Sequence, residues 1–372
     1  MTQLNDRYRL DNYIDTFALG HYARVLAAED LDNGNTVAFK VMRPEHVQAD
    51  GNAQWEFRAF GNEGQILLAL KDSPHIIELY DIGYLSNMDE APTGGEIVSF
   101  GTDVDTFIAQ TTEYASKGWR PYMTLENLPR NESLFYAMKP NQPGMRRRLP
   151  TEEVLTMALQ FANVMTMAHA VTIVCLDHKL EHVYWDGKSL KIIDFNSSKQ
   201  LGTGNQSLEF QKDIHNLCVG ILYPAFTGMS PHKTALRPQP GNLDVVEKRY
   251  ADVQELDFLM EPTLSPAIQA LLQRGANQEI ATVDDFIVQL QAVGALHGRD
   301  FSDVHTAPAN RQARDHMKHG LTLLREGEQA IREARDLFRD ALVQEGITED
   351  LESELMRLVK AVNDVLNERV IP

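Results

Sequence analysis

Cysteine is almost missing from this 372-residue chain: only Cys175 and Cys218 occur, far apart and in apolar surroundings. Two such residues build no disulfide framework and offer no zinc-ligand spacing, and they suit a reducing interior. Basic residues are also short, 35 Lys and Arg against 53 Asp and Glu, for a formal charge of -18. A nucleic-acid-binding face needs a broad basic surface to neutralise phosphates, so no nucleic-acid partner is expected. The acidity reads as a contribution to solubility. Long apolar runs are absent too: none reaches the roughly 18 residues that make a membrane-spanning candidate, and the opening MTQLNDRYRLDNY has no apolar signal core. These absences point to a cytoplasmic protein with no membrane partner.

What is present suggests two or three units, each large enough to bury a core. YRLDNYIDTFAL, ARVLAAEDL and TVAFKVM are β-rich runs, and Asn33-Gly34 between the last two predicts a hairpin with a tight primed turn. The chain should therefore open as an antiparallel sheet. WEFRAFGNEGQILLAL places Phe57, Phe60, Ile66, Leu67 and Leu70 near helical spacing despite Gly61 and Gly64, predicting a single helix after the hairpin. IIELYDIGY and PYMTLENL read as two further strands, and residues 85–120 between them as an elaborated connection.

Thr151, with Glu152 and Glu153 behind it, predicts a capped start for the largely apolar helix EEVLTMALQFANVMTMAHA. DIHNLCVGILYPAFTG reads as another apolar helix, PHKTALRPQPGN as a Pro/Gly-rich passage ending the dense region, and LSPAIQALLQRG with TVDDFIVQLQAVGAL as a closing helical unit. Beyond a linker at 297–310, residues 311–372 are charged and amphipathic. They predict a helical hairpin packed on the main body, because Ala334, Phe338 and Ala341 supply only one degenerate tetratricopeptide-like unit.

Six stretches carry polar chemistry. FALGHYARV, Phe17 to Val25, precedes VAFK, whose Lys40 ends a strand; FGNEGQILLAL places Glu63 on the predicted helix, with Glu56 as a competitor; TLENLP leaves a strand at Glu126 and Leu128; VCLDHKLEH carries Asp177, Lys179 and His182; and KIIDFN carries Asp194. Taken together these resemble the protein-kinase family from about Tyr8 to Leu296. The resemblance implies an α+β, bilobal protein-kinase-like fold: an antiparallel N-lobe with one helix over 1–126, including the 85–120 insertion, and a helical C-lobe over 127–296.

By the same resemblance, Ala18, Gly20, Ala23 and Val25 would lie over nucleotide phosphates, and Lys40 would pair with those phosphates while Glu63 holds its amine. Backbone groups around Glu126 and Leu128 would meet the adenine edge. Asp177 would act as catalytic base with Lys179 beside it, and Asp194 and His182 would bind metal. The implied cofactors are ATP and Mg2+.

Departures accompany the matches. Only Gly20 survives among the glycine-loop positions, Cys175 and Leu176 stand in place of His and Arg, and His182 in place of Asn. Leu176 removes the group that reads an activation-loop phosphate. Asn196 replaces the glycine after Phe195 and is expected to tolerate the left-handed turn there. Asp213 should anchor the Asp177 loop, so the activation segment is short and lacks an APE triplet, while Ile280 replaces the arginine that would pair with it. Three readings stay open: a Ser/Thr-directed protein kinase-like enzyme, a pseudokinase binding a protein partner, or a small-molecule kinase. Arg146 to Arg148 form a basic run that reads as a solvated loop or an acidic-partner site.

Overall fold

The computed structural model describes residues 2–13, 22–47, 53–139, 146–202, 204, 206–239, 241, 243–298, 326–327, 329–342 and 349–368. The first part comprises β1 (Thr2–Gln3), α1 (Leu4–Arg7), β2 (Tyr8–Tyr13), β3 (Ala23–Asp30), β4 (Asn35–Met42), α2 (Trp55–Ala69), β5 (Leu79–Leu85), β6 (Glu96–Ser99), α3 (Val104–Ala109), α4 (Thr111–Ser116) and β7 (Arg120–Glu126). Its strands form one antiparallel sheet in the order β1-β6-β5-β7-β4-β3-β2.

The expected single helix is corrected: several helices accompany this sheet. The 85–120 passage supplies β6, α3 and α4, and β6 pairs with both β5 and β1. The glycines of α2 explain the arrangement. A Cβ at Gly61 would stand 2.7 Å from Ile108 Cγ1, and one at Gly64 would stand 3.1 Å from both Val104 methyls, so α3 packs where larger residues would hold it off.

The β3/β4 connection also differs from the expected primed turn. Asp30 pairs with Asn35 across a four-residue loop, and Gly34 alone within it takes positive φ, 73°. Asp30 organises the loop by accepting from Asp32 N and Asn33 Nδ2, both at 3.0 Å. Its carboxylate does locally what an Asn-Gly pair was expected to do through φ.

Asp81 is a buried carboxylate in the sheet. It accepts from the Tyr8 and Tyr122 hydroxyls at 2.9 and 2.8 Å, from Ser99 Oγ at 2.6 Å and from Gly101 N at 2.9 Å. Four donors replace the water lost on burial.

The remaining chain is mostly helical: α5 (Leu134–Ala137), α6 (Thr151–Ala170), β8 (Ile173–Val174), β9 (Val183–Trp185), β10 (Leu190–Ile192), β11 (Lys199–Gln200), α7 (Ser207–Asn216), a π segment at Leu217–Leu222, α8 (Tyr223–Thr227), α9 (Leu243–Lys248), α10 (Pro266–Ala276), α11 (Val283–Leu296), α12 (329–342) and α13 (Glu349–Glu368). Helix α6 buries Val154, Leu155, Ala158, Phe161 and Met165, matching its apolar sequence, and packs against α11. Its start is not capped as expected. Thr151 is already helical, Pro150 holds the cap position without a side-chain bond, and buried Glu153 instead accepts from Trp185 Nε1 at 2.7 Å. Ser265 and Thr282 do cap α10 and α11.

The Arg146–Arg148 run is exposed to half-buried, and its side chains also reach partners within the chain. Arg146 donates to Thr227 O at 3.0 Å, and Arg148 Nε lies 3.4 Å from Glu261. The tail contains two helical stretches, as expected, while the hairpin connection at 343–348 and the 299–325 stretch lie outside the described residues. Among the described residues no helix is long and apolar enough to cross a membrane.

The sheet and helical parts share main-chain bonds: Ile77 N donates to Ile192 O at 3.1 Å, and Ile192 N to His75 O at 2.8 Å. Lys191 Nζ reaches Glu126 Oε2 at 2.6 Å, and Asn62 Nδ2 donates to Asn196 O and Ser198 O. A cleft lies between the two parts.

Candidate functional site

Strand β4 carries Lys40 into the cleft at 5% exposure, beside the fully buried Glu63 of α2. Lys40 Nζ is 2.7 Å from Glu63 Oε2 and 2.8 Å from Asp194 Oδ1. The competing carboxylate, Glu56, faces His46 Nδ1 at 3.3 Å. Burial alone would favour a neutral lysine, but Asp194 and Glu63 outweigh it and hold the ammonium pKa well above its ordinary value. Glu63 is raised, because burial outweighs the attraction of Lys40. Asp194 lies well below the usual carboxylate range: burial opposes this, but Lys40 and His182 overcome it.

The Asp177 loop is fixed from beneath. Asp213 accepts from the main-chain N–H groups of Cys175 and Leu176, each at 3.0 Å, and lies 3.1 Å from His169 Nε2. Leu176 takes φ of 56°, a costly conformation for a branched residue, which these bonds and Asn216 Nδ2 to Leu176 O at 3.0 Å hold in place. Asp213 thus anchors the loop as expected. Its carboxyl pKa is depressed although burial pushes it upward, because His178 and His169 stabilise the anion.

The turn at Asn196 is corrected. Asp194 takes the positive φ, 63°, and Asn196 does not; the Asn196 amide donates to Asp194 Oδ1 instead. Asn62 holds the Asn196 carbonyl, so tertiary hydrogen bonding decides this turn rather than the tolerance of asparagine for left-handed φ.

His182 and Lys179 complete the polar wall. His182 Nε2 is 2.9 Å from Asp194 Oδ2, its Nδ1 is 3.2 Å from the Asp177 carbonyl oxygen, and Lys179 Nζ is 3.2 Å from Asp177 Oδ2. Lys40, Glu63, Asp177, Lys179, His182 and Asp194 therefore all line one cleft. Ala23, Val25, Glu126 and Leu128 line it as well, beside Ala38 and Leu125. Among the described residues no hydrogen bond engages the main chain of Leu128, at the rim of the cleft. Ala18 and Gly20 lie outside the described residues.

Two contributors were not legible in the sequence. Tyr22 packs against Trp55 and Phe60, with Lys40 Nζ 5.6 Å from its ring centroid. Arg249, just after α9, puts Nε 3.1 Å and Nη2 3.0 Å from Asp177 Oδ1. It arrives through the Pro/Gly-rich passage, which does not end the dense region but folds back: Gln239 N donates to Glu181 Oε1, and Arg249 Nη1 to Gln239 O at 2.8 Å. Asp177 is consequently held by cations on both oxygens. Its pKa is lowered, burial being outweighed by Lys179, His182 and Arg249.

Among the described residues, no group of three or more His, Cys, Asp or Glu side chains is arranged to hold a metal ion. An ion in the cleft would take Asp194, and His182 beside it, with its other ligands drawn from substrate and water. Compared with known proteins, the chain matches no family model and no curated protein.

Proposed function

We propose that the chain is a protein-kinase-like phosphotransferase acting on ATP in the cleft between its sheet and its helices, with a protein hydroxyl as acceptor. The carrying observation is Lys40, fixed by Glu63 at 2.7 Å and standing 2.8 Å from Asp194, on the cleft that Asp177 also lines. A buried ammonium held between two carboxylates is oriented before an anion arrives, and positioning with charge neutralisation is most of what phosphoryl transfer requires.

Each neighbour then has a physical part. Val25, Ala38 and Leu125 offer an apolar wall for a planar base, and the main chain of Leu128 offers its edge a donor and an acceptor. Lys40 meets the phosphates. Asp177 accepts the hydrogen bond of the acceptor hydroxyl, and Lys179 beside it stabilises charge on the transferred group. Asp194 would hold a divalent cation, Mg2+ by resemblance to the kinase family, which would supply further charge neutralisation for the phosphates. Two buried, unpaired cysteines fit a reducing cytoplasmic setting.

A second reading, nucleotide binding without transfer, is favoured by the engagement of both Asp177 oxygens, Oδ1 by Arg249 and Oδ2 by Lys179. Incubation with labelled ATP and generic peptide or small-molecule acceptors separates the two. Transfer that disappears in Asp177→Asn supports the enzyme. A rise in melting temperature with ATP and no transfer supports the binding module, and no response to ATP defeats both.

A further inference from the structure

We infer that His215 is a pH-operated latch: its protonated ring seats the segment that carries Arg249 against Asp177, and loss of one proton releases that segment. The inference rests on the proposed phosphotransferase reading only for its effect on transfer. The latch itself stands on the geometry around His215.

The ring, 2% exposed, faces main-chain carbonyls with both nitrogens. Nδ1 lies 2.8 Å from Ala276 O, at the end of α10, and Nε2 lies 3.0 Å from Tyr250 O, one residue past Arg249. A neutral imidazole carries one N–H and an imidazolium carries two, so only the protonated ring serves both oxygens. Which contact fails on deprotonation follows from the other donors. Val253 N also donates to Tyr250 O, at 3.0 Å, whereas the N–H groups of Asn277, Gln278 and Glu279 go to Gln273, Gly275 and Arg274 and pass Ala276 O by. The neutral ring therefore keeps its hydrogen on Nδ1 and turns the Nε2 lone pair against Tyr250 O, an arrangement that drives the carbonyl away.

Tyr250 passes this displacement to Arg249 because both grip the same residue. The Tyr250 hydroxyl bonds Gln239 Oε1 at 3.0 Å, and Arg249 Nη1 bonds Gln239 O and Oε1 at 2.8 and 3.1 Å. The Asp177 loop does not follow: Asp213 and Asn216, on the same helix as His215, hold Cys175 and Leu176 in place. One proton thus selects between Arg249 seated on Asp177 and Arg249 withdrawn from it.

The neighbouring charges are engaged elsewhere. On α7, Asp213 serves His169 and the Asp177 loop, while Lys212 attracts Glu247. Arg274 of α10 lies 3.6 Å from Glu279, Asp285 of α11 bonds Thr282 at 2.8 Å, and burial keeps the Cys218 thiol of the π segment protonated. Beside Tyr250, Asp252 lies 3.9 Å from His232, whose ring stacks on Tyr250. Among the described residues none of these groups forms an ion pair with His215.

The test uses the full chain, uniformly labelled with 13C and 15N, with the His215 ring and the Arg249 Nε–H assigned through their own backbones and followed by NMR over about pH 5 to 8. The ring should pass from imidazolium to the tautomer with hydrogen on Nδ1, and the Arg249 signal should move with the same midpoint. A glutamine amide reaches the place of Nε2 and donates at every pH, so in His215→Gln the Arg249 signal should stand still. A ring that keeps one protonation state throughout, a neutral ring with hydrogen on Nε2, or an Arg249 signal that moves with another midpoint or still moves in His215→Gln overturns the latch. If His215→Gln does not fold, the two wild-type midpoints decide. Transfer from labelled ATP should rise severalfold with this midpoint in the wild type and lose that rise in His215→Gln. Transfer that ignores the midpoint overturns the control of Asp177. Coincident midpoints with no transfer at any pH overturn the phosphotransferase reading and retain the latch.

Discussion

Arg249 and Asp177 form a buried ion pair across 72 residues of sequence, with Nε 3.1 Å from Oδ1 and neither side chain more than 7% exposed. Removing the arginine leaves a buried carboxylate with Lys179 as its remaining close cation. Arg249→Met should cost about 1–3 kcal/mol, visible as a lower denaturation midpoint. Because the variant frees the lone pairs of Oδ1, phosphate transfer per folded molecule should rise severalfold. Reduced transfer would instead show that Arg249 positions Asp177.

Lys40 serves two carboxylates at once, and its removal is expected to be expensive. Lys40→Met strands the fully buried Glu63 and should cost about 3–5 kcal/mol in chemical denaturation. It should also abolish stabilisation by ATP. Adding Glu63→Gln should recover much of the stability, because the unpaired charge is gone, without recovering the ATP response. Recovery of both would remove Lys40 from the nucleotide site.

The Asp213 anchor predicts the acid limb of stability. Its native pKa is depressed, so its contribution is complete above the unfolded-state value of about 3.9 and is lost as pH falls through the native value. His178, lowered by burial, adds a shallower loss that begins as pH falls below about 6.5, where the unfolded chain binds the proton more readily. The groups facing this cluster are His169, His178 and Asp177. Asp213→Asn should lower stability at neutral pH by about 1–3 kcal/mol and flatten the decline below about pH 4 in urea titrations.

Gly220 tests the support of the Asp177 loop from the helical side. A Cβ there would stand 2.5 Å from Tyr250 Cε2 and 2.6 Å from the His178 carbonyl oxygen. Since the second contact is main chain, Gly220→Ala should cost about 1–3 kcal/mol and displace the loop next to Asp177. Melting temperature and ATP response should fall together. Pairing it with Tyr250→Phe should not restore either, because the ring and the carbonyl remain.

The cleft was legible in the sequence where short stretches fix side-chain spacing. Lys40 on a strand, Glu63 on the next helix and Asp177, Lys179, His182 and Asp194 around two short strands all meet as their order suggests. Arg249 was not legible, because an irregular Pro/Gly-rich passage delivers it and carries no periodic signal. The 85–120 passage hid β6, since four residues of strand among turns give little alternation, although Gly61 and Gly64 on one helix marked a close approach by something. The positive φ at Asp194 rather than Asn196 depended on hydrogen bonds from Asn62, far away in sequence.

The bonds at the rear of the cleft carry a last implication for traffic through it. Ile77, His75 and Ile192 are joined through their main chains, while Lys191 grips Glu126 close by. Separation along that line would break all of these together, so a swing that widens the entrance must pivot there. Residence time inside should consequently follow how easily the entrance parts, and a weakened Lys191 grip should loosen the pivot before it disturbs a single residue that touches the cargo.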